Sequence, residues 1–123
     1  MMNEHNIVLD KSFKFSVRIV RLHRYLCDEQ KEYVLSKQLL RAGTSIGANV
    51  NEAQAAQSKK DFVSKMSIAS KEARETKYWL DLLVETDYLD SREEHTQSLL
   101  LESLELIKLL TSIIKTSAET IKN

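Results

Sequence analysis

Apolar residues recur along this chain at intervals of three and four positions, the spacing that places side chains on one face of an α-helix. The pattern divides into four segments, which we interpret as helices over about residues 11–28, 32–57, 59–86 and 92–120. Residues 1–9 are interpreted as a lead-in and residues 121–123 as a tail. With no proline and only two glycines, little would interrupt long helices. The sequence therefore predicts an all-α fold, a single up-down-up-down antiparallel four-helix bundle.

Capping residues support two of these boundaries. Ser58 and Asp61 have the spacing of a capping box before the third helix. Ser91 and Glu94 repeat that spacing before the fourth helix. In such a box each side chain binds a backbone N–H that would otherwise lack a partner. We therefore expect these two helices to begin close to the serines.

The first helix carries two apolar faces, whereas a peripheral helix of a monomeric bundle needs only one. One face consists of Phe15, Ile19, Leu22 and Leu26. The other face, roughly half a turn away, consists of Phe13, Val17, Val20 and Cys27. The second face predicts a further partner, most simply another copy of the same chain.

The fourth helix also has more apolar positions than one core contact requires. We interpret its inner stripe as Leu100, Leu104, Ile107, Ile114 and Ile121. Four further apolar residues widen this stripe and are interpreted as candidates for contact between copies: Leu99, Leu106, Leu110 and Ile113.

The second helix contains both glycines of the chain, Gly43 and Gly47, one turn apart. A glycine inside a helix costs about 1 kcal/mol relative to alanine, so the pair predicts that another helix approaches the backbone closely. The full set of predicted oligomer-interface residues is Phe13, Val17, Val20, Gly43, Gly47, Leu99, Leu106, Leu110 and Ile113.

Polar residues at the edges of the apolar stripes of the second and third helices predict a polar layer in or beside the core. Asparagine is a poor helix former unless its amide is used, which draws attention to Asn49. The predicted members are Arg41, Asn49, Glu52, Glu72, Glu75 and Thr76. The layer could fix the register of the helices or bind a small anion, and we favour the first role.

Charge is balanced over the whole chain, with 18 Lys/Arg and 18 Asp/Glu, so net charge does not indicate a nucleic-acid or membrane partner. Its distribution is uneven: residues 1–74 contain 13 basic and 8 acidic residues, and residues 75–123 contain 5 and 10. The basic side chains of the first helix could pair with acidic neighbours or follow a phosphate backbone. The candidate nucleic-acid-binding residues are Lys11, Lys14, Arg18, Arg21, Arg24 and Arg41.

Residues suited to catalysis or metal binding do not form a recognisable pattern. No histidine follows a glutamate by three positions, as the di-metal four-helix proteins require. The single Cys27 is interpreted as a small apolar filler, and no nucleophile or phosphate-loop motif is found. We therefore expect no enzymatic activity, no metal, no cofactor and no small-molecule substrate.

The sequence also carries no membrane or export signal. No apolar run is long enough to span a bilayer, and the first residues lack the basic start of a secretory signal. A single cysteine excludes an internal disulfide and fits a reducing compartment. We expect a cytoplasmic protein without a membrane partner.

Several segments resemble a known family, the four-helix bundle proteins encoded in intervening sequences of 23S ribosomal RNA. In order, the segments are Phe15-Ser-Val-Arg-Ile-Val-Arg-Leu22, Gln38-Leu-Leu-Arg-Ala-Gly-Thr-Ser-Ile-Gly-Ala-Asn49, Lys60-Asp-Phe62 and Ile68-Ala-Ser-Lys-Glu-Ala-Arg-Glu-Thr-Lys-Tyr-Trp-Leu80. The resemblance covers roughly residues 10–115.

The resemblance implies a bacterial bundle that assembles as a ring-like homopentamer and has no established enzymatic activity. The family is similar to the accessory variability proteins of diversity-generating retroelements, which are basic pentameric barrels that bind nucleic acid and a reverse transcriptase. It therefore implies two partners for this chain, copies of itself and RNA or another nucleic acid.

Overall fold

The computed structural model describes residues 3–122, and the side chains of residues 3–120. Four α-helices account for most of this range, and no strand occurs within it. The helices are α1 (Glu4–Asp28), α2 (Leu35–Ala53), α3 (Lys59–Glu85) and α4 (Glu94–Lys122). The predicted all-α fold is confirmed.

The first helix begins earlier than predicted, because residues 4–9 are helical and do not form a separate lead-in. The side chain of Asn3 accepts a hydrogen bond from the backbone N–H of Asn6 at 2.9 Å and so caps the helix. Val8 belongs to the core, with no exposed surface. This cap and this buried side chain supply the favourable contacts that extend α1 by two turns.

The second helix is shorter at both ends than predicted, since it begins at Leu35 and ends at Ala53. Glu32 causes the late start, because its carboxylate accepts hydrogen bonds from the backbone N–H groups of Val34, Leu35 and Ser36 at 2.7–3.1 Å. Burial of Glu32 acts to raise its pKa, but these backbone hydrogen bonds outweigh burial and hold the pKa below the usual glutamate value.

Only one of the two capping boxes forms as predicted. Ser58 Oγ accepts from the N–H of Asp61 at 3.1 Å, and Asp61 reaches back to the N–H of Gln57 at 3.2 Å. Before α4, the acceptor is Asp90, whose Oδ1 lies 2.9 Å from the backbone nitrogen of Arg92. That contact holds a turn through residues 90–93, so α4 begins at Glu94, later than the predicted start at 92.

The helices pack in sequence order around one core. Contacts join α1 to α2, α2 to α3, α3 to α4 and α4 back to α1, whereas the diagonal pairs of the described residues have no comparable contact. Across the α1–α4 seam, Lys11 pairs with Glu105 and Arg18 with Glu102, so one chain direction rises as the other falls. The pairs Arg41–Glu72 and Glu52–Lys65 show the same antiparallel order between α2 and α3. The arrangement is therefore the predicted up-down-up-down bundle.

The core uses the expected face of α1 and the unexpected face of α4. Phe15, Ile19, Leu22 and Leu26 are buried as predicted. On α4 the apolar residues exposed by 2% or less are the four that were assigned to contact between copies: Leu99, Leu106, Leu110 and Ile113. Of the predicted inner stripe, Leu100, Ile107 and Ile114 are half-buried and pack against the edge of the core. Leu104, assigned to the inner stripe, is 42% exposed, and Ile121 lies outside the described side chains.

A buried serine explains the error. Ser103 lies between the core leucines of α4 with no exposed surface, and its hydroxyl donates to the backbone carbonyl of Leu100 at 2.7 Å. A serine that satisfies its hydroxyl on its own helix can enter a core at little cost. In the sequence, however, it makes the core face look less apolar than the outer face.

Candidate interaction surfaces

An apolar groove runs along the outer side of α1 and α2. Its most exposed member is Phe13, 67% exposed. Leu9 lies beside Phe13, and Gly47 and Ala48 form part of the α2 side of a cavity of about 760 Å³. Polar residues complete the lining: Asn6, Asp10, Ser16, Thr44 and Asn51. Val17 and Val20, also predicted as interface residues, are half-buried on the same helix. Of the second apolar face of α1, only Phe13 is therefore largely exposed, whereas Val17, Val20 and Cys27 are half-buried.

The two glycines face α1 of the same chain. A Cβ atom at Gly43 would lie 2.8 Å from both Cγ1 and Cγ2 of Ile19, and one at Gly47 would lie 3.0 Å from Ser16 Oγ. The predicted close approach is thus present, but the approaching helix is α1 and not a second copy. Gly43 is buried there, whereas Gly47 contributes to the groove.

A second apolar surface, the α4 ridge, consists of Leu101 and Leu104. They are 57% and 42% exposed. Of the predicted interface residues, the four on α4 lie in the core instead (Leu99, Leu106, Leu110 and Ile113). The sequence did indicate that one of the three consecutive leucines at 99–101 is exposed, because three successive residues cover about 200° of a helix and cannot all face one core.

Most of the predicted basic residues pair with acids of the same chain. Arg18 lies 2.8 Å from Glu102 on α4, and its guanidinium also donates to Ser98 Oγ at 2.9 Å. Lys11 lies 3.9 Å from Glu105. These cations connect α1 to α4. Their contacts agree with the first of the two interpretations of the basic side chains of the first helix, in which they pair with acidic neighbours.

The remaining basic candidates on α1 differ in whether they form an ion pair within the chain. Lys14 pairs with Asp10 on its own helix at 3.0 Å, although its side chain is 74% exposed. Arg21 and Arg24 are exposed and form no ion pair with any residue in the described part of the chain. The surface open to phosphate is therefore smaller than the sequence indicates.

The predicted polar layer forms in part, at the seam between α2 and α3. Arg41 donates to Glu72 at 3.0 Å and also pairs with Glu75. Thr76 is buried beside them and donates its hydroxyl to the carbonyl of Glu72. The cluster joins α2 to α3 at the outer edge of their seam.

Two predicted members stand apart from this cluster. Asn49 donates to the carbonyl of Ser45 on its own helix at 2.8 Å. The carboxylate of Glu52 is 64% exposed and lies 3.8 Å from Lys65. Neither contacts Arg41, so the layer extends along less of the seam than the sequence predicts.

Side chains that could bind a metal do not converge. Within residues 3–120, no group of three or more His, Cys, Asp or Glu side chains is arranged to hold an ion. Cys27 is half-buried, with Sγ 3.7 Å from His23 Nε2 and from Ser36 Oγ. No helix in the described range is long and apolar enough to cross a membrane.

The fold and these surfaces together define a small helical-bundle protein that exposes apolar side chains on α1 and α4 outside its core. The family model described as 23S rRNA-intervening sequence protein matches residues 4–112. This chain belongs to that family.

A solved structure supports the assignment. The chain is similar, with 55% identity and a TM-score of 0.87, to a protein from the S23 ribosomal protein family of Bacteroides thetaiotaomicron VPI-5482. The match covers 92% of this chain and 99% of that one, and that protein is described as having unknown function. Among curated proteins, none matches this chain.

Proposed function

We propose that this protein is a non-enzymatic scaffold that self-associates into a homo-oligomer through the groove between α1 and α2. The observation that carries the proposal is the exposed Phe13 among apolar neighbours on a helix whose opposite face already fills the core. Burying a phenylalanine stabilises an assembly by about 1.5–3 kcal/mol relative to leaving it in water. The resemblance to ring-forming bundles supports five copies.

Native mass measurement tests this proposal. We expect size-exclusion chromatography with light scattering to give a multiple of the 14.2 kDa chain mass for the parent, and a single-chain mass for Phe13→Asp. Tyr78→Asp is the matched control, because Tyr78 is also on a helix surface, 58% exposed, but lies outside the groove. Circular dichroism establishes that each variant keeps its helices.

Two results would count against the proposal. A parent of single-chain mass at every protein concentration would overturn self-association itself. A Phe13→Asp variant that keeps the parent's mass would overturn the assignment of the groove as the contact.

Nucleic-acid binding is the second candidate, and it is favoured by Arg21 and Arg24, which are exposed and have no ion-pair partner among residues 3–120. Absorbance recorded at the nucleic-acid wavelength in the same chromatography detects bound RNA, and phosphate binding weakens steeply as salt rises. Reversing Arg21 and Arg24 to glutamate should abolish such binding. Reversal of the exposed Lys59 and Lys60 on α3 changes the net charge equally and should leave it intact. RNA binding that survives the arginine reversal would contradict this candidate.

A further inference from the structure

A cavity of about 590 Å³, which we call the end cavity, lies where the last turns of α1 meet the α3–α4 connection and the start of α4. Its volume is in the range of cavities that bind small molecules. The lining comes from three separate parts of the chain, so no local motif predicts it. It includes Arg21 and Tyr25 from α1, Asp87 and Tyr88 from the connection, and Thr96 from α4.

One buried hydroxyl in the end cavity has no hydrogen-bond partner in the chain. Thr96 is 2% exposed, and its side chain forms no hydrogen bond with any residue in the described range. The other buried hydroxyl groups, on Ser12, Ser36, Thr76 and Ser103, each donate to a backbone carbonyl at 2.7–3.2 Å. A buried hydroxyl without a partner is costly. A polar ligand in the cavity would supply the missing hydrogen bond.

The charged side chains of the end cavity do not neutralise one another. Arg21 is exposed and forms no ion pair, and the same holds for Asp87 and Glu93 among residues 3–120. Asp90 differs, because Arg92 binds both of its carboxylate oxygens at 2.9–3.0 Å. One cation and two carboxylates therefore line the same cavity and remain available to a ligand.

The apolar part of the lining is held in place by the surrounding structure. The backbone N–H groups of Tyr88 and Leu89 both donate to the carbonyl of Leu83, at 2.9 and 3.2 Å, which fastens the connection to the end of α3. The side-chain amide of Gln30 donates to the hydroxyl of Tyr25 at 2.8 Å. The two tyrosines therefore offer ring surface to the cavity in fixed positions.

We propose that the end cavity binds a free α-amino acid with an aromatic side chain. The ligand's carboxylate pairs with Arg21, its ammonium group pairs with the carboxylates of Asp87 and Glu93, and its ring packs against the two tyrosines. A zwitterion matches both signs of charge. A nucleotide phosphate would pair with Arg21 but would meet two carboxylates without partners, and an organic cation would leave Arg21 unmatched. This inference does not depend on the proposed self-association.

Isothermal titration calorimetry with L-phenylalanine tests the proposal. Two analogues each lack one of the charges: phenylpropionate has no ammonium group, and phenylethylamine has no carboxylate. We expect L-phenylalanine to bind and each analogue to bind about tenfold more weakly or worse, the usual effect of losing a charged hydrogen-bonded contact.

Two single variants assign the contacts of Arg21 and Thr96. Arg21→Gln should weaken the binding of L-phenylalanine about tenfold. Lys37→Gln is the matched control, because Lys37 is exposed and lies outside the cavity. Thr96→Val should weaken binding about threefold, the effect of one neutral hydrogen bond. It should not lower the stability of the ligand-free protein, because the hydroxyl has no partner in the chain to lose.

A double variant tests the contact with the ammonium group. Asp87→Asn combined with Glu93→Gln should weaken the binding of L-phenylalanine about tenfold and leave the weaker binding of phenylpropionate no worse. Glu85→Gln combined with Glu94→Gln is the control, since both residues are exposed, close in sequence and outside the cavity.

The opposite results would overturn the inference. L-phenylalanine that does not bind with a Kd below about 10 mM would exclude the site, and an analogue that binds equally well would exclude a zwitterion. Binding that is unchanged in both Arg21→Gln and the double variant would place the ligand elsewhere. Tighter binding of adenosine monophosphate, lost in Arg21→Gln, would assign the cavity to phosphate and favour the nucleic-acid candidate instead.

Discussion

Gly43 lies where α1 and α2 approach closely, and its missing side chain is the reason they can. A methyl group on Gly43 would meet two carbon atoms of Ile19 at 2.8 Å. Ile19 is β-branched and fully buried, so it has little freedom to rotate away. We predict that Gly43→Ala lowers the free energy of unfolding by about 1–3 kcal/mol, the usual cost of overpacking, despite the better helix propensity of alanine. Urea denaturation measures this change.

Gly47→Ala is the matched control for that prediction. The nearest atom to its added methyl group is the Ser16 hydroxyl oxygen at 3.0 Å, followed by the backbone oxygen of Ser12 at 3.2 Å. These distances are longer than the 2.8 Å contacts at Gly43 and need a smaller shift, so we expect a smaller loss than at Gly43. Equal stability of Gly43→Ala and the parent would show that α1 can move away from α2 without cost.

The start of α2 depends on one buried carboxylate. Glu32 is 8% exposed, and its carboxylate accepts hydrogen bonds from three backbone N–H groups at the start of α2. We predict that Glu32→Gln lowers the free energy of unfolding by about 1–2 kcal/mol at neutral pH, as the loss of a helix cap does. The exposed Glu29 provides the control, because Glu29→Gln removes the same charge nearby without touching the cap.

The same cap predicts a pH dependence. Because hydrogen bonding holds the pKa of Glu32 below its unfolded-state value, the unfolded chain binds the proton more readily. The contribution is therefore complete above the ordinary glutamate pKa of about 4.3 and is lost as the pH falls through the lower pKa of the folded state. The stability gap between parent and Glu32→Gln should narrow over this window. A constant gap would contradict the assignment.

The number, order and type of helices were predictable from the sequence, whereas several local choices were not. Periodicity identifies a helix but cannot choose between two stripes of similar strength, which is why the inner face of α4 was assigned wrongly. Ser103 satisfies its own hydroxyl inside the core, and composition alone does not show this. The Asn3 cap, in contrast, is a local contact of a preferred N-cap residue, so the earlier start of α1 was within reach of the sequence and was missed.

The candidate surfaces were predictable to a different extent. Phe13 was identified because α1 has two apolar faces, and the structure leaves it exposed. Leu101 was missed because the choice of the wrong α4 stripe hid the surplus leucine. The pairing of Arg41 with Glu72 and Glu75 followed from their edge positions on adjacent helices. The intrachain partners of Lys11 and Arg18 depend on the α1–α4 seam, which no local pattern specifies.

That seam closes the bundle, and it is the least extensive of the four helix contacts. A cavity of about 250 Å³ lies along it, beside Phe15 and Leu106. Arg18 supplies much of the polar contact across it, because one guanidinium binds Glu102, Ser98 and the backbone carbonyl of His95. Its side chain is only 22% exposed, so these charge-assisted hydrogen bonds are partly shielded from water.

Arg18→Met should therefore loosen the closure of the whole bundle while keeping the apolar stem of the side chain. We predict a loss of about 1 kcal/mol in the free energy of unfolding, because Glu102 remains partly solvated when its partner is removed. Lys14→Met removes an exposed cation of the same helix and should change stability by less than about 0.5 kcal/mol. Both are measured by urea denaturation at one protein concentration, since self-association makes stability concentration-dependent. Amide exchange should become faster along α1 and α4 in Arg18→Met and stay unchanged between α2 and α3; equal exchange in both variants would mean that apolar packing alone holds the seam.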